Sequence, residues 1–164
     1  MRCLAAFLIA LPAAAAPLAP GTPQLQLRFE GLFGQPTTLL GARGGGGLGL
    51  GWRLTDQLWA IGDAAQRAAP NGGIGSLAVG LQATLDMTPI EPYVELAIVR
   101  LTNHDVLGCS LATRTGLGAD WVFRKDLALG LVVRTYTPFD PEGDNATLAG
   151  LEAALRLVFT PGAK

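Results

Sequence analysis

Between residues 24 and 159 the chain alternates apolar residues with polar or small ones at a period of two, and it does so eight times. In an extended strand successive side chains point to opposite faces, so such a run is the signature of a two-faced β-strand. The runs are 24–34, 46–54, 58–67, 74–86, 92–102, 110–124, 127–139 and 147–159. In the second, Leu48, Leu50, Trp52 and Leu54 alternate with Gly47, Gly49, Gly51 and Arg53. In the sixth, Leu117, Ala119, Trp121 and Phe123 alternate with Gly116, Gly118 and Asp120. After residue 20 no stretch carries the 3.6-residue apolar rhythm of a helix. The fold class is therefore all-β: an eight-stranded antiparallel up-and-down barrel, its strands matching the roughly 9–11 residues that a tilted membrane-crossing strand requires.

The direction of the apolar face decides between a membrane barrel and a soluble one. Only 15% of residues are charged, and ten of the 12 basic ones are arginine. A water-facing surface normally carries Lys and Glu in number, whereas here the polar face is mostly Gly, Ala and Ser with scattered arginines and acids. The connections also alternate in length. Residues 55–57, 87–91 and 124–126 are short links, while 35–45, 68–73, 103–109 and 140–146 are longer. Short turns at one end and long loops at the other are the asymmetry of an outer-membrane barrel. Most aromatics fall near strand ends, which predicts a girdle of Phe33, Trp52, Tyr93, Trp121, Phe123, Tyr136, Phe139 and Phe159. The formal charge of −1 and the absence of a basic cluster speak against a nucleic-acid partner.

The first residues read as an export signal. Arg2 is followed by an apolar core, Pro12 and a run of alanines, and cleavage after Ala15 satisfies an Ala-x-Ala rule. The expected organisation is a signal over 1–15, a short segment over 16–23, the barrel over 24–159 and a tail over 160–164. Removing Cys3 with the signal leaves Cys109 alone, with no intrachain disulfide. No Cys or His spacing suggests a metal site, and no cofactor is expected.

The corner Trp52-Arg53-Leu54-Thr55-Asp56-Gln57-Leu58 and the stretch Val122-Phe123-Arg124-Lys125-Asp126-Leu127-Ala128-Leu129-Gly130 resemble the strand–turn–strand corners of small outer-membrane β-barrel proteins. Pro92-Tyr93-Val94-Glu95-Leu96 and Gly116-Leu117-Gly118-Ala119-Asp120-Trp121 share the likeness. The resemblance is to the OmpA-like barrels and porin-family small barrels of Gram-negative bacteria, and it covers residues 24–159. It implies a closed eight-stranded barrel in the outer membrane, inserted by the barrel assembly machinery, with Phe159 in the C-terminal recognition strand. Residues 160–164 follow that phenylalanine, where family members often stop at the aromatic. Nothing here resembles the peptidoglycan-binding domain of longer members, so cell-wall anchoring is not carried over.

An eight-stranded barrel is just wide enough for side chains to fill it. Parity sends Arg28, Arg53, Arg114, Arg134 and Arg156 inward, together with Glu30, Asp63, Glu95, Asp120 and Glu152. Confined charges persist when paired, so an internal ion-pair network is expected to plug the barrel. The third strand is ambiguous. Pairing Leu54 with Leu58 sends both Asp63 and Trp59 inside, and the cost of a carboxylate in lipid favours that register. Pairing Phe123 with Leu127 is the matching choice at the other corner.

Other motifs are weak. Gly44-Gly45-Gly46-Gly47-Leu48-Gly49 matches a dinucleotide fingerprint formally, but a strand follows it where a helix is required. His104, beside Asp105 and six residues before Ser110, is the sole histidine and reads as a loop residue more readily than as a catalytic base. Asp140, Glu142 and Asp144 alternate in the last long loop, and Arg100 points to the lipid face near the rim; these are the candidate contacts to lipopolysaccharide or a divalent cation. Arg43 and Arg67 are placed near the same rim. The favoured function is a non-enzymatic barrel, structural or acting through its outer loops, whose partners are membrane lipid and lipopolysaccharide. The alternatives are a narrow channel or apolar-solute port, a lipid-modifying enzyme, and a soluble ligand-binding barrel.

Overall fold

The computed structural model describes residues 24–35, 44–68, 73–87, 89–103, 108–139 and 150–161. Eight strands follow one another: β1 (Leu25–Gln35), β2 (Gly44–Arg53), β3 (Leu58–Ala68), β4 (Ile74–Thr84), β5 (Ile90–Asn103), β6 (Gly108–Arg124), β7 (Leu127–Pro138) and β8 (Gly150–Phe159). Each pairs antiparallel with its neighbours in sequence, and β1 closes on β8, giving a closed barrel in the order β1 to β8. At the seam Leu27 pairs with Leu50 of β2 on one side and Phe159 of β8 on the other. The signal, residues 16–23, His104, Asp105, Asp140, Glu142, Asp144 and Arg43 all lie outside the described residues.

The short links sit together at one end. At the β2–β3 corner the Leu54 amide donates to the Leu58 carbonyl at 2.8 Å. Thr55 Oγ1 accepts from the amides of Gln57 and Leu58 at 3.3 and 3.0 Å, which fixes the three-residue turn. The β6–β7 corner is tighter than the sequence suggested. Arg124, not Phe123, pairs with Leu127, leaving the two-residue turn Lys125-Asp126, and the register shifts between Val122 and Arg124. Phe123 is the extra residue of this β-bulge, with no partner of its own in β7.

Parity sorts the side chains into two unlike surfaces. Outside, Leu48, Leu96 and Leu117 are 62%, 58% and 68% exposed, and similar residues continue around the wall. An exposed apolar surface that encircles a protein is a lipid-facing one. On β5, β6 and β7 polar residues enter this belt towards the long loops, Arg100 and Thr102, Thr113 and Thr115, Thr135 and Thr137, with the exposed Leu111 and Phe139 beyond the threonines of β6 and β7. Inside, charged and polar side chains are buried. A soluble barrel with an apolar interior would show the reverse pattern.

Candidate functional site

Among the described residues the lumen holds five arginines and five carboxylates that are buried or nearly buried, and all of them but Arg28 take part in a set of wall-to-wall bridges. At its centre Arg134 of β7 reaches across the barrel. Its two terminal nitrogens donate to Glu30 of β1 at 2.5 and 2.6 Å, and its Nε donates to Glu95 of β5 at 2.5 Å. Arg114 of β6 forms a bidentate fork with Asp63 of β3 at 2.8 and 2.6 Å. Its Nε lies 3.3 Å from Glu95, an ion pair without hydrogen-bond alignment. Towards the long-loop end Arg67 of β3 forks onto Glu152 of β8 and donates to Ser76 at 2.8 Å and to the Tyr136 hydroxyl at 3.1 Å. Tyr136 in turn donates to Glu152 at 2.7 Å. Towards the short-turn end Arg156 of β8 forks onto Asp120 of β6, donates to Gln82 of β4 at 3.2 Å and stacks 3.8 Å over the Tyr93 ring. The tiers are linked, since Arg134 also lies 4.0 Å from Glu152.

Bidentate guanidinium–carboxylate forks are planar and directional, which is why arginine serves here and lysine would not. They also explain how the charges are tolerated. The paired Arg67, Arg114, Arg134 and Arg156 are each at most 2% exposed, and a charge so buried persists only when paired and hydrogen-bonded. Arg28 is the exception. It is 4% exposed and donates to Gln26 at 2.9 Å, while its Nε has no hydrogen-bond partner among the described residues.

Inward glycines make room for these side chains. A Cβ on Gly116 would meet the Glu95 side chain at 2.6 Å, and one on Gly51 would meet an Arg28 terminal nitrogen at 2.9 Å. Gly118 faces the Tyr93 ring, and Gly130 faces the Asp120 carboxylate. Each of these large lumen side chains thus lies against a glycine of an adjoining strand. The reason for glycine at these positions is therefore steric.

Nine of the ten residues expected inside line the lumen. The tenth, Arg53, has inward parity but is the last residue of β2, so it sits at the mouth. There it donates to Gln24 at 2.8 Å and Asp56 at 3.0 Å and lies over Trp59. Arg67, expected at the rim, takes the vacant role in the lumen. Tyr93 and Tyr136 belong to the lumen and not to the girdle, at 3% and 2% exposure. Their neighbours Glu95 and Arg134 share their parity, and that signal was present in the sequence. Phe33, Trp52, Trp121, Phe123 and Phe139 are exposed on the outer surface, and Phe159 is half-buried at the end of β8. Asp63 and Trp59 both face inward, in the register set by the Leu54–Leu58 corner. Ser110 is buried in the β6 wall, and Arg100 lies on the outer face of β5 beside Leu77 and Leu111. Gly44 to Gly49 run on as β2.

Three solved structures share this architecture. The N-terminal β-barrel domain of OprF from Pseudomonas aeruginosa superposes with a TM-score of 0.66 at 14% identity, covering 84% of this chain and 96% of that one. A barrel from the de novo design of transmembrane β-barrels gives 0.59 at 16% identity, over 87% and 98%. Neisserial surface protein A (NspA) gives 0.57 at 13% identity, over 84% and 96%. No family model matches the sequence, and no curated protein matches it. At these identities the likeness is one of fold: the chain has the eight-stranded closed architecture of transmembrane outer-membrane barrels.

Proposed function

We propose that the protein is a non-enzymatic barrel of the Gram-negative outer membrane, closed to solutes by its own side chains, with a structural role or one exercised through its outer loops. The observation that carries this reading is the reach of the bridges. Arg134 spans from β7 to β1 and β5, Arg114 from β6 to β3, Arg67 from β3 to β8, and Arg156 from β8 to β6 and β4. Bridges in four directions at successive depths occupy the cross-section that a conducting path would need. In this reading the short turns face the periplasm, the long loops face outward, and the barrel assembly machinery inserts the chain after its signal is removed.

The test is conductance of the purified, folded protein in planar bilayers at both polarities. No steady current is expected. A steady, reproducible unit current would refute the closed lumen and favour a narrow channel. Fractionation of the expressing cells, with gel mobility measured before and after boiling, tests the location. An outer-membrane fraction with a heat-shifted band is expected, and recovery as a detergent-free soluble protein would refute it.

A further inference from the structure

The outer wall of β1 to β5 is not evenly studded with large side chains. Three adjoining surface hollows, of about 730, 460 and 330 Å³, share lining residues. Their floor is made by Gly46, Gly62 and Ala64, and their apolar flanks are Leu48 and Leu77. The register makes this a continuous trough. Ala64 pairs with Leu48 on one side and Leu77 on the other, and Gly62 pairs with Leu50 and Val79. At the long-loop end the character changes abruptly. The last hollow is bounded by Gln66, Arg100 and Thr102, with Gly75 between them. Arg100 brings a guanidinium to this outer face and sits directly beside Leu77 in the sheet. Thr102 donates to the Gly75 carbonyl at 3.3 Å, which holds its hydroxyl at the same spot.

We propose that this trough is a lipid site, taking one phosphorylated lipid of the outer leaflet. Its phosphate meets Arg100, Gln66 and Thr102, and one acyl chain lies over Gly46, Gly62 and Ala64. The inference rests on the membrane placement proposed above and goes beyond it. The polarity of the trough selects the occupant. An apolar floor can be covered by an acyl chain without burying a polar group, while a guanidinium at the interface pairs with phosphate by charge-assisted hydrogen bonds. In the sheet Arg100 is flanked by Leu77 of β4 and Leu111 of β6, so the apolar surface runs up to it on both sides. A second copy of the barrel could use the apolar floor but would leave the polar end without a matched group.

The site can be tested without disturbing the lumen. An added Cβ at Gly62 meets nothing closer than 3.7 Å, and at Gly46 nothing closer than 3.6 Å, so Gly62→Leu fills the trough from a position with room for a side chain. The full chain, folded in detergent, is incubated with a bisphosphorylated lipid A, with phosphatidylcholine, or with inorganic phosphate, and adducts are read by native mass spectrometry. One retained lipid A per barrel is expected. Arg100→Gln is expected to lower its retention roughly tenfold, and Gly62→Leu to lower it comparably, with phosphatidylcholine held weakly throughout. Equal retention by wild type and Arg100→Gln, or equal retention of both lipids, would overturn the proposal. So would inorganic phosphate binding as well as the lipid, or barrel dimers that Gly62→Leu dissolves. The heat-shifted gel band of each variant, measured in parallel, separates loss of the site from loss of the barrel.

Discussion

Replacing Arg134 by methionine isolates the value of the central bridge. The side chain is close in length, so the wall is kept while the charge is removed. Glu30 would lose both of the hydrogen bonds it accepts from Arg134, at 2.5 and 2.6 Å, whereas Glu95 would keep Arg114 at 3.3 Å. One carboxylate is therefore stranded, not two. Its side chain is 4% exposed, so water cannot take over from the guanidinium without rearrangement. Breaking one partner from a buried pair costs about 3–5 kcal/mol, and that is the loss expected for Arg134→Met. Adding Glu30→Gln removes the stranded charge and should return most of the loss, because a pair replaced as a unit is often close to neutral. Arg28, two residues before Glu30 on the same face, is the side chain placed to take over. Arg28→Gln with Arg134→Met should therefore cost more than the two changes separately. The assay is urea unfolding of protein folded in lipid vesicles, with the folded fraction read from the unboiled gel band and extrapolated linearly. A loss under about 0.5 kcal/mol for Arg134→Met, well below the buried-pair range, would refute the dry, bridged lumen. Failure of Glu30→Gln to rescue the variant would count against it equally.

Three further outcomes follow. Arg53→Ala removes an exposed pair with Asp56 at the mouth, and its stability should stay within the range of surface ion pairs, about 0–1 kcal/mol of wild type. Gly118→Ala drives a methyl into the Tyr93 ring and to 2.7 Å from the Leu131 carbonyl, so a loss of about 1–3 kcal/mol or failure to give the folded band is expected, while Gly62→Ala should fold normally. Leu117→Arg places a cation in the middle of the apolar belt and should destabilise vesicle-inserted protein by about 2–4 kcal/mol, against about 0–1 for Thr115→Arg nearer the rim. Equal costs at 115 and 117 would place the bilayer elsewhere on the wall.

Parity carried the reading of the fold a long way. Every strand begins and ends within a few residues of the alternating run that announced it, and the Leu54–Leu58 corner placed Asp63 beside Arg114. What parity cannot express is depth. Arg53 and Arg67 both have inward parity, but Arg53 ends its strand at the mouth while Arg67 lies inside the wall, against Glu152. Tyr93 and Tyr136 were drawn to the girdle by their residue type and to the lumen by their neighbours, and the neighbours prevailed because both rings have cationic partners inside. Which arginine meets which carboxylate depends on the shear of the barrel, since Arg134 and Glu30 are 104 residues apart. That distance leaves no local trace. The bulge at Phe123 was equally silent, because one extra residue in a strand end looks like one more residue of turn.

The bridges also say something about how such a wall can be made. Arg134 needs Glu30, and Arg67 needs Glu152, so two of the main forks join residues from the beginning and the end of the barrel. An open sheet lacking its last strand would still present Arg67 and Arg156's partner Asp120 on one face, with nothing opposite to neutralise them. Such a sheet can wait in water, but lipid would reject both its bare edge and its charged face. Meeting of β1 and β8 resolves both at once, joining the hydrogen-bond ladder and completing the forks. Entry into the bilayer and closure of the cylinder are thereby bound into a single cooperative event, and a half-inserted barrel has no resting place between them.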